Sequence, residues 1–278
     1  MKLKGLLAAL VGFASLGLSA GAARAGTITV KGSDTMVILG QRWAEEYMKK
    51  NPGTILQVTG GGSGTGISAL INGTTDICAA SRTMKAAEKE KLRDRYNNTG
   101  VEIPVARDGL AVYVNAASPL AEISIPDLKG IFSGKITNWK QLGGPDANII
   151  VYSRENSSGT YVFFKENVLQ GADFTPRAQT MPGTAAVVNA VSKEKFGIGY
   201  GGAAYAKGIK ILKVKKDAAS PAINPEKTTV LNGTYPLARP LFFYLRAKQT
   251  GEMKSFIDWT LSGEGQAIVE KVGYYPVK

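Results

Sequence analysis

A two-lobed α/β fold is what this chain predicts, on three observations. A β-like run, a turn rich in Gly, Ser and Thr, and a helical stretch recur as one unit three times. The same logic returns in the middle of the chain from Ile149. Two strongly apolar runs, Leu110–Val114 and Leu241–Leu245, stand where the chain would cross between lobes. Residues 26–109 plus 238–278 are the expected first lobe and 110–237 the second. Ligands in such folds sit outside the carboxyl ends of strands, and a cleft between lobes buries them.

Thr27–Val30 opens the first unit and ends at Lys31-Gly32-Ser33-Asp34-Thr35. Met36–Lys50 is amphipathic, with Ile38, Trp43 and Tyr47 apolar against Glu45, Glu46 and Lys49, and Asn51-Pro52-Gly53 stops it. Ile55–Val58 is the next strand, leading through Thr59-Gly60-Gly61-Gly62-Ser63-Gly64-Thr65-Gly66 into a helix that runs through Leu70. A third strand, Asp76–Ala79, ends in Ser81-Arg82. The apolar strand Leu110–Val114 follows Arg107-Asp108-Gly109, where Asp-Gly favours a turn. Ile149–Tyr152 reads as a buried strand, Ser153–Gly159 as a turn and Thr160–Val168 as a helix. Gly183–Val191 is helical and Gly197–Tyr200 a strand. Residues 214–235, with Pro221, Pro225 and Asn232-Gly233, predict loops or edge hairpins. Leu241–Leu245 is apolar again, and a terminal helix is expected over Glu252–Val272.

Ahead of the fold, residues 1–25 read as an export signal. Lys2 and Lys4 give a basic start, Leu6–Ser19 is apolar and small, and Ala23-Arg24-Ala25 is a small-x-small cleavage pattern. The run is too short and too rich in Gly and Ser to span a bilayer. No cysteine near the cut opens a lipoprotein route, so a periplasmic protein beginning near Gly26 is expected. Cys78 is the only cysteine and sits in an apolar run, so no internal disulfide forms and a buried strand position is expected.

The net charge of +12 falls to +9 without Lys2, Lys4 and Arg24. The lysines are scattered and not interleaved with aromatics, which argues against a nucleic-acid partner. A positive field that concentrates a small anion fits better. With no histidine, Ser-His-Asp chemistry and His-rich zinc sites are excluded. No metal, cofactor or catalysis is expected.

Each loop after a strand offers hydroxyls and glycines at a helix start, where unpaired N–H groups and the helix dipole favour an anion. Any one such loop is also an ordinary N-cap. The glycine-rich loop imitates nucleotide motifs without meeting them. Gly64-Thr65-Gly66-Ile67-Ser68-Ala69 lacks the later acidic residue of a dinucleotide site, and Ile67 stands where a P-loop needs lysine. Arg154, followed four residues on by Ser158-Gly159-Thr160 at a helix start, is the most informative constellation. A guanidinium binds tetrahedral oxyanions through two parallel N–H bonds.

These segments, in this order, resemble the phosphate-binding proteins of ABC importers. The likeness rests on Gly32–Thr35, Gly60–Gly66, Asp76–Arg82, Leu128–Trp139 and Ser153–Thr160, and covers essentially the whole mature chain. It implies a type II periplasmic-binding-protein fold that closes on one inorganic phosphate and hands it to a membrane permease, as a monomer. By the same likeness the ligands are Thr35, the N–H of Met36, Ser63 with the N–H groups of Gly64 and Thr65, and Arg154, Ser158, Gly159 and Thr160. Longer family members end the third loop in Ser-Asp, and that aspartate accepts the proton of bound phosphate. This chain has Ser81-Arg82, as short members do. Asp108 is the candidate acceptor in its place, a turn-forming Asp-Gly being the competing reading, with Asp34 and Asp76 behind it. Arg82 is a further candidate to hold the anion. Sulfate or molybdate remains the alternative ligand.

Overall fold

Three strand–helix units open the chain: β1 (Gly26–Gly32) with α1 (Val37–Lys50), β2 (Thr54–Thr59) with α2 (Ser63–Asn72), and β3 (Ile77–Ala80) with α3 (Ala86–Tyr96). They come from a computed structural model that describes residues 26–277, so the expected export signal lies outside the described residues. Next come β4 (Val101–Asn115), β5 (Glu122–Ser124) and α4 (Ile125–Phe132), then β6 (Ile150–Arg154) with α5 (Gly159–Asn167). β7 (Gln179–Met181), α6 (Thr184–Lys193), β8 (Gly197–Gly202), β9 (Ile209–Lys215) and α7 (Lys227–Leu231) follow. β10 (Ala238–Leu245), α8 (Gly251–Thr260) and α9 (Gly263–Val272) end the described chain.

The strands join in the order β2-β1-β3-β10-β4-β8-β6-β7, with β9 on β4 and β5 on β9. β4 is the strand that both halves of the sheet share. Its residues 101–109 pair antiparallel with β10, and its residues 110–115 pair with β8 and β9. One set of apolar side chains, including Trp43, Phe243 and Phe256, buries itself around β1–β3 and β10. Another, built on Phe132, Phe164 and Tyr200, packs around the far end of β4. There Phe164 stacks on Tyr200 with ring centroids 4.0 Å apart.

Three expectations need correction, and one helix had none. Arg107-Asp108-Gly109 is not a turn but continuous strand, because Asp108 lies opposite Arg239 in the β4–β10 register. The helix α3 was not foreseen, since only Leu92 of its residues is buried and no apolar stripe marks it. The terminal helix is two, interrupted at Leu261–Ser262, where the Ser262 hydroxyl accepts the Gly265 N–H and starts α9 afresh. Residues 214–235 are loops with an antiparallel bridge between Val214 and Ile223, as expected, but also hold the five-residue α7.

Phe164 lies one turn inside α5, so its ring anchors the helix whose first residues are Gly159 and Thr160. Phe164→Ala removes a fully buried ring. It should cost about 3–5 kcal/mol in urea unfolding monitored by circular dichroism.

Candidate functional site

The loops that follow β1, β2, β3 and β6 converge beside the shared strand. From the first comes Thr35, buried, with its hydroxyl 2.9 Å from that of Thr160 across the two halves. The Met36 N–H donates to the Ser33 carbonyl at 2.9 Å, closing a helical turn. From the second loop, the Ser63 hydroxyl accepts the Ser81 N–H at 3.0 Å. The Gly64 N–H donates to the Ser157 carbonyl of the opposite half at 2.8 Å, and Thr65 lies half-buried in the first turn of α2. Gly62 has φ of 92°, and a Cβ there would sit 2.6 Å from that same Ser157 carbonyl. Glycine is required by backbone conformation and close approach together.

The β6–α5 loop supplies the facing wall. Ser158 caps α5, its hydroxyl accepting the N–H groups of Thr160 and Tyr161 at 3.2 and 3.3 Å. Its own O–H proton stays available, because a hydroxyl donates as well as accepts. Gly159 lies against Ser63 and Ser81, and a Cβ on it would meet both hydroxyls. Arg154 is buried, donating from Nη1 to the Thr184 hydroxyl at 3.0 Å and from Nη2 to Asp34 at 2.7 Å.

Two residues carry more of the site than the sequence suggested. Arg239 on β10 donates from Nε and Nη2 to Asp108 Oδ2, at 3.0 and 2.8 Å, with both side chains 1% exposed. The same guanidinium reaches the Thr160 hydroxyl at 3.0 Å and the Ser81 carbonyl at 3.3 Å, and lies 5.3 Å from the centre of the Phe163 ring. Asp108 Oδ1 is buried without a hydrogen-bond partner among the described residues. Burial first, and the Asp108 charge second, push the hydroxyls of Tyr113 and Tyr274 well above the usual tyrosine value. Arg239 left one trace in the sequence, a lone charge just ahead of an apolar run.

Arg82 is paired through its two terminal nitrogens, while its Nε is buried without a hydrogen-bond partner among the described residues. Its guanidinium forms a two-pronged pair with Glu88 at 2.8 and 2.7 Å and also donates to the Thr83 carbonyl. Glu88 lies in the first turn of α3, the helix the sequence reading did not foresee. Burial alone would raise the Glu88 carboxyl. The Arg82 guanidinium and the Lys85 N–H more than offset it and hold the group below the ordinary glutamate value.

The assembled groups suit a small oxyanion: hydroxyls and N–H groups at two helix starts, a buried guanidinium on each side, and one carboxylate oxygen with no donor. Among the described residues no cluster of His, Cys, Asp and Glu could hold a metal ion. Such a fold, with such a site between its halves, defines a solute-binding protein of the α/β class.

The chain belongs to the PBP superfamily, whose domain model matches residues 18–264, and within it to the family of the phosphate-binding protein PstS. It is 33% identical to PstS of Pseudomonas aeruginosa, over 100% of this chain and 96% of that protein. An ABC-type phosphate transport receptor from Vibrio cholerae shares the architecture at a TM-score of 0.72 and 30% identity, covering 89% of this chain and 99% of that one. A Clostridium perfringens protein solved with bound phosphate superposes at a TM-score of 0.83 with 32% identity, covering 91% of this chain and 100% of that one.

Two outcomes test this arrangement. Arg239→Met should destabilise by about 3–5 kcal/mol, because it strands the buried Asp108 charge. Adding Asp108→Asn should restore part of the loss in the same urea titration. For Glu88, the lowered carboxyl stabilises the fold above the unfolded glutamate value, and that contribution disappears as pH falls through the folded one. The gap in melting temperature between wild type and Glu88→Gln should therefore be full at neutral pH and close on acidification.

Proposed function

We propose that this protein is an extracytoplasmic solute-binding protein that captures inorganic phosphate and delivers it to an ABC importer, without catalysis. The observation that carries the reading is the meeting of Thr35, Ser63 and Ser81 with Ser158, Gly159, Thr160 and Arg154 across the two halves, beside a buried carboxylate oxygen that lacks a donor. Family membership supports phosphate as the ion.

On this reading Thr35, Ser63 with the Thr65 N–H, Arg154, Ser158, Gly159 and Thr160 donate to the phosphate oxygens, while the Gly64 N–H holds the Ser157 carbonyl. Asp108 Oδ1 accepts the proton of hydrogen phosphate, which sulfate at neutral pH cannot offer. The lobes are residues 26–109 plus 238–278 and residues 110–237, hinged where β4 and β10 meet. Closure of one lobe on the other buries the ion and presents a joint surface to the permease. The protein acts as a monomer, exported through the signal in residues 1–25. Among the described residues no helix is long and apolar enough to cross a membrane.

Titration calorimetry on mature protein, unfolded and refolded to strip carried-over ligand, tests the reading. Phosphate should bind one to one, undisturbed by excess sulfate. Arg154→Ala should weaken it about a hundredfold or more, since it removes a buried charged donor. Asp108→Asn should narrow the gap between phosphate and sulfate. Sulfate bound as tightly as phosphate by the wild type would overturn the assignment.

A further inference from the structure

Asp34 precedes α1 in the first half, yet its carboxylate is shared with the second. Its Oδ1 accepts the Gly61 N–H at 2.8 Å, and its Oδ2 accepts Arg154 Nη2 at 2.7 Å. The Asp34 carbonyl accepts the hydroxyl of Tyr205, which follows β8, at 2.6 Å. A Cβ on Gly60 would collide with the Asp34 carboxylate, so that loop is shaped around it. The Arg154 side chain is 1% exposed and that of Asp34 is 19%.

Arg154 is thus fixed on three sides: Asp34 at Nη2, Thr184 at Nη1 and Glu155 at Nε, the last at 3.3 Å. Three of the five N–H donors of a guanidinium are committed, and two stay free in a fixed plane. Two of the three fixing groups, Thr184 and Glu155, belong to the same half as Arg154; Asp34 alone comes from the other. Its ion pair therefore spans the two halves, and separation would leave Arg154 to Glu155 and Thr184 and Asp34 to the Gly61 N–H.

We infer that Asp34 is a positioning residue, acting through Arg154, that ties closure of the two halves to the orientation of the oxyanion-binding guanidinium. Only the identity of the ligand rests on the proposed function. An ion pair formed on closing slows release and leaves encounter nearly unchanged.

Two variants separate this role from simple loop support. Asp34→Asn keeps an oxygen for the Gly61 N–H and removes the charge, while Asp34→Ala removes both. Stopped-flow release of phosphate from refolded protein should be about tenfold faster or more in both variants, with association changed far less. Small-angle scattering of ligand-free protein should give a larger radius of gyration for Asp34→Asn than for wild type. If Asp34→Asn matches wild type in release and only Asp34→Ala is impaired, Asp34 merely shapes the Gly60–Gly61 loop and the inference fails. Unchanged release in both variants overturns it as well. A wild type that takes up no phosphate would sink the proposed function, and the scattering comparison alone would then decide the role of Asp34: an equal radius overturns it.

Discussion

The structure turns on one buried ion pair. Asp108 and Arg239 face each other on β4 and β10, in register, each with a side chain 1% exposed. Charges so far from water are tolerable only when paired and hydrogen-bonded. The pair meets that demand by drawing other groups in: the Thr160 hydroxyl, the Ser81 carbonyl and the ring face of Phe163 all meet the Arg239 guanidinium. Thr160 and Phe163 belong to α5, on the far side of the site. The constraint that keeps two charges satisfied in the sheet thereby sets where the second half's helix begins.

The same pair shows what a single chain can and cannot disclose. Strand–loop–helix units were legible because their cause is local: apolar runs, glycines and hydroxyls follow one another within a few residues. Ser158 and Gly159 were legible for that reason, being an N-cap and the first helical residue. The pairing of Asp108 with Arg239 spans 131 residues of sequence. Nothing local marks it, and Asp108-Gly109 imitates a turn while lying in a strand. The helix α3 escaped for the opposite reason. Its residues are nearly all solvated, so periodicity carries no signal, and the pairing of its Glu88 with the terminal nitrogens of Arg82 was hidden with it.

Glycines divide the labour in the loops with the hydroxyls. Gly62 and Gly159 let backbone from the two halves touch, Gly64 N–H to Ser157 carbonyl, and Gly159 against Ser63 and Ser81. Contacts this close leave no room for a bridging side chain, so the donors that line the site are short hydroxyls and backbone N–H groups. Arg154 and Arg239 both have carboxylate partners. Attraction for an anion then rests on oriented N–H and O–H dipoles and on the guanidinium protons left free, more than on surplus charge.

That balance gives the unpartnered Asp108 Oδ1 its significance. A buried acceptor without a donor costs on the order of 1–3 kcal/mol. Arg239 occupies Oδ2 twice over and leaves Oδ1 alone, so its geometry does not cure the deficit. Hydrogen phosphate, the proposed ligand, would bring a proton to this oxygen, while a fully ionised oxyanion of the same shape would add repulsion to the existing cost. On the proposed reading, a small penalty held in the empty-handed carboxylate oxygen becomes selectivity, because only a protonated oxyanion relieves it. The preference is then a property of the β4–β10 register, which fixes Asp108 in place, as much as of the loops that surround the ion.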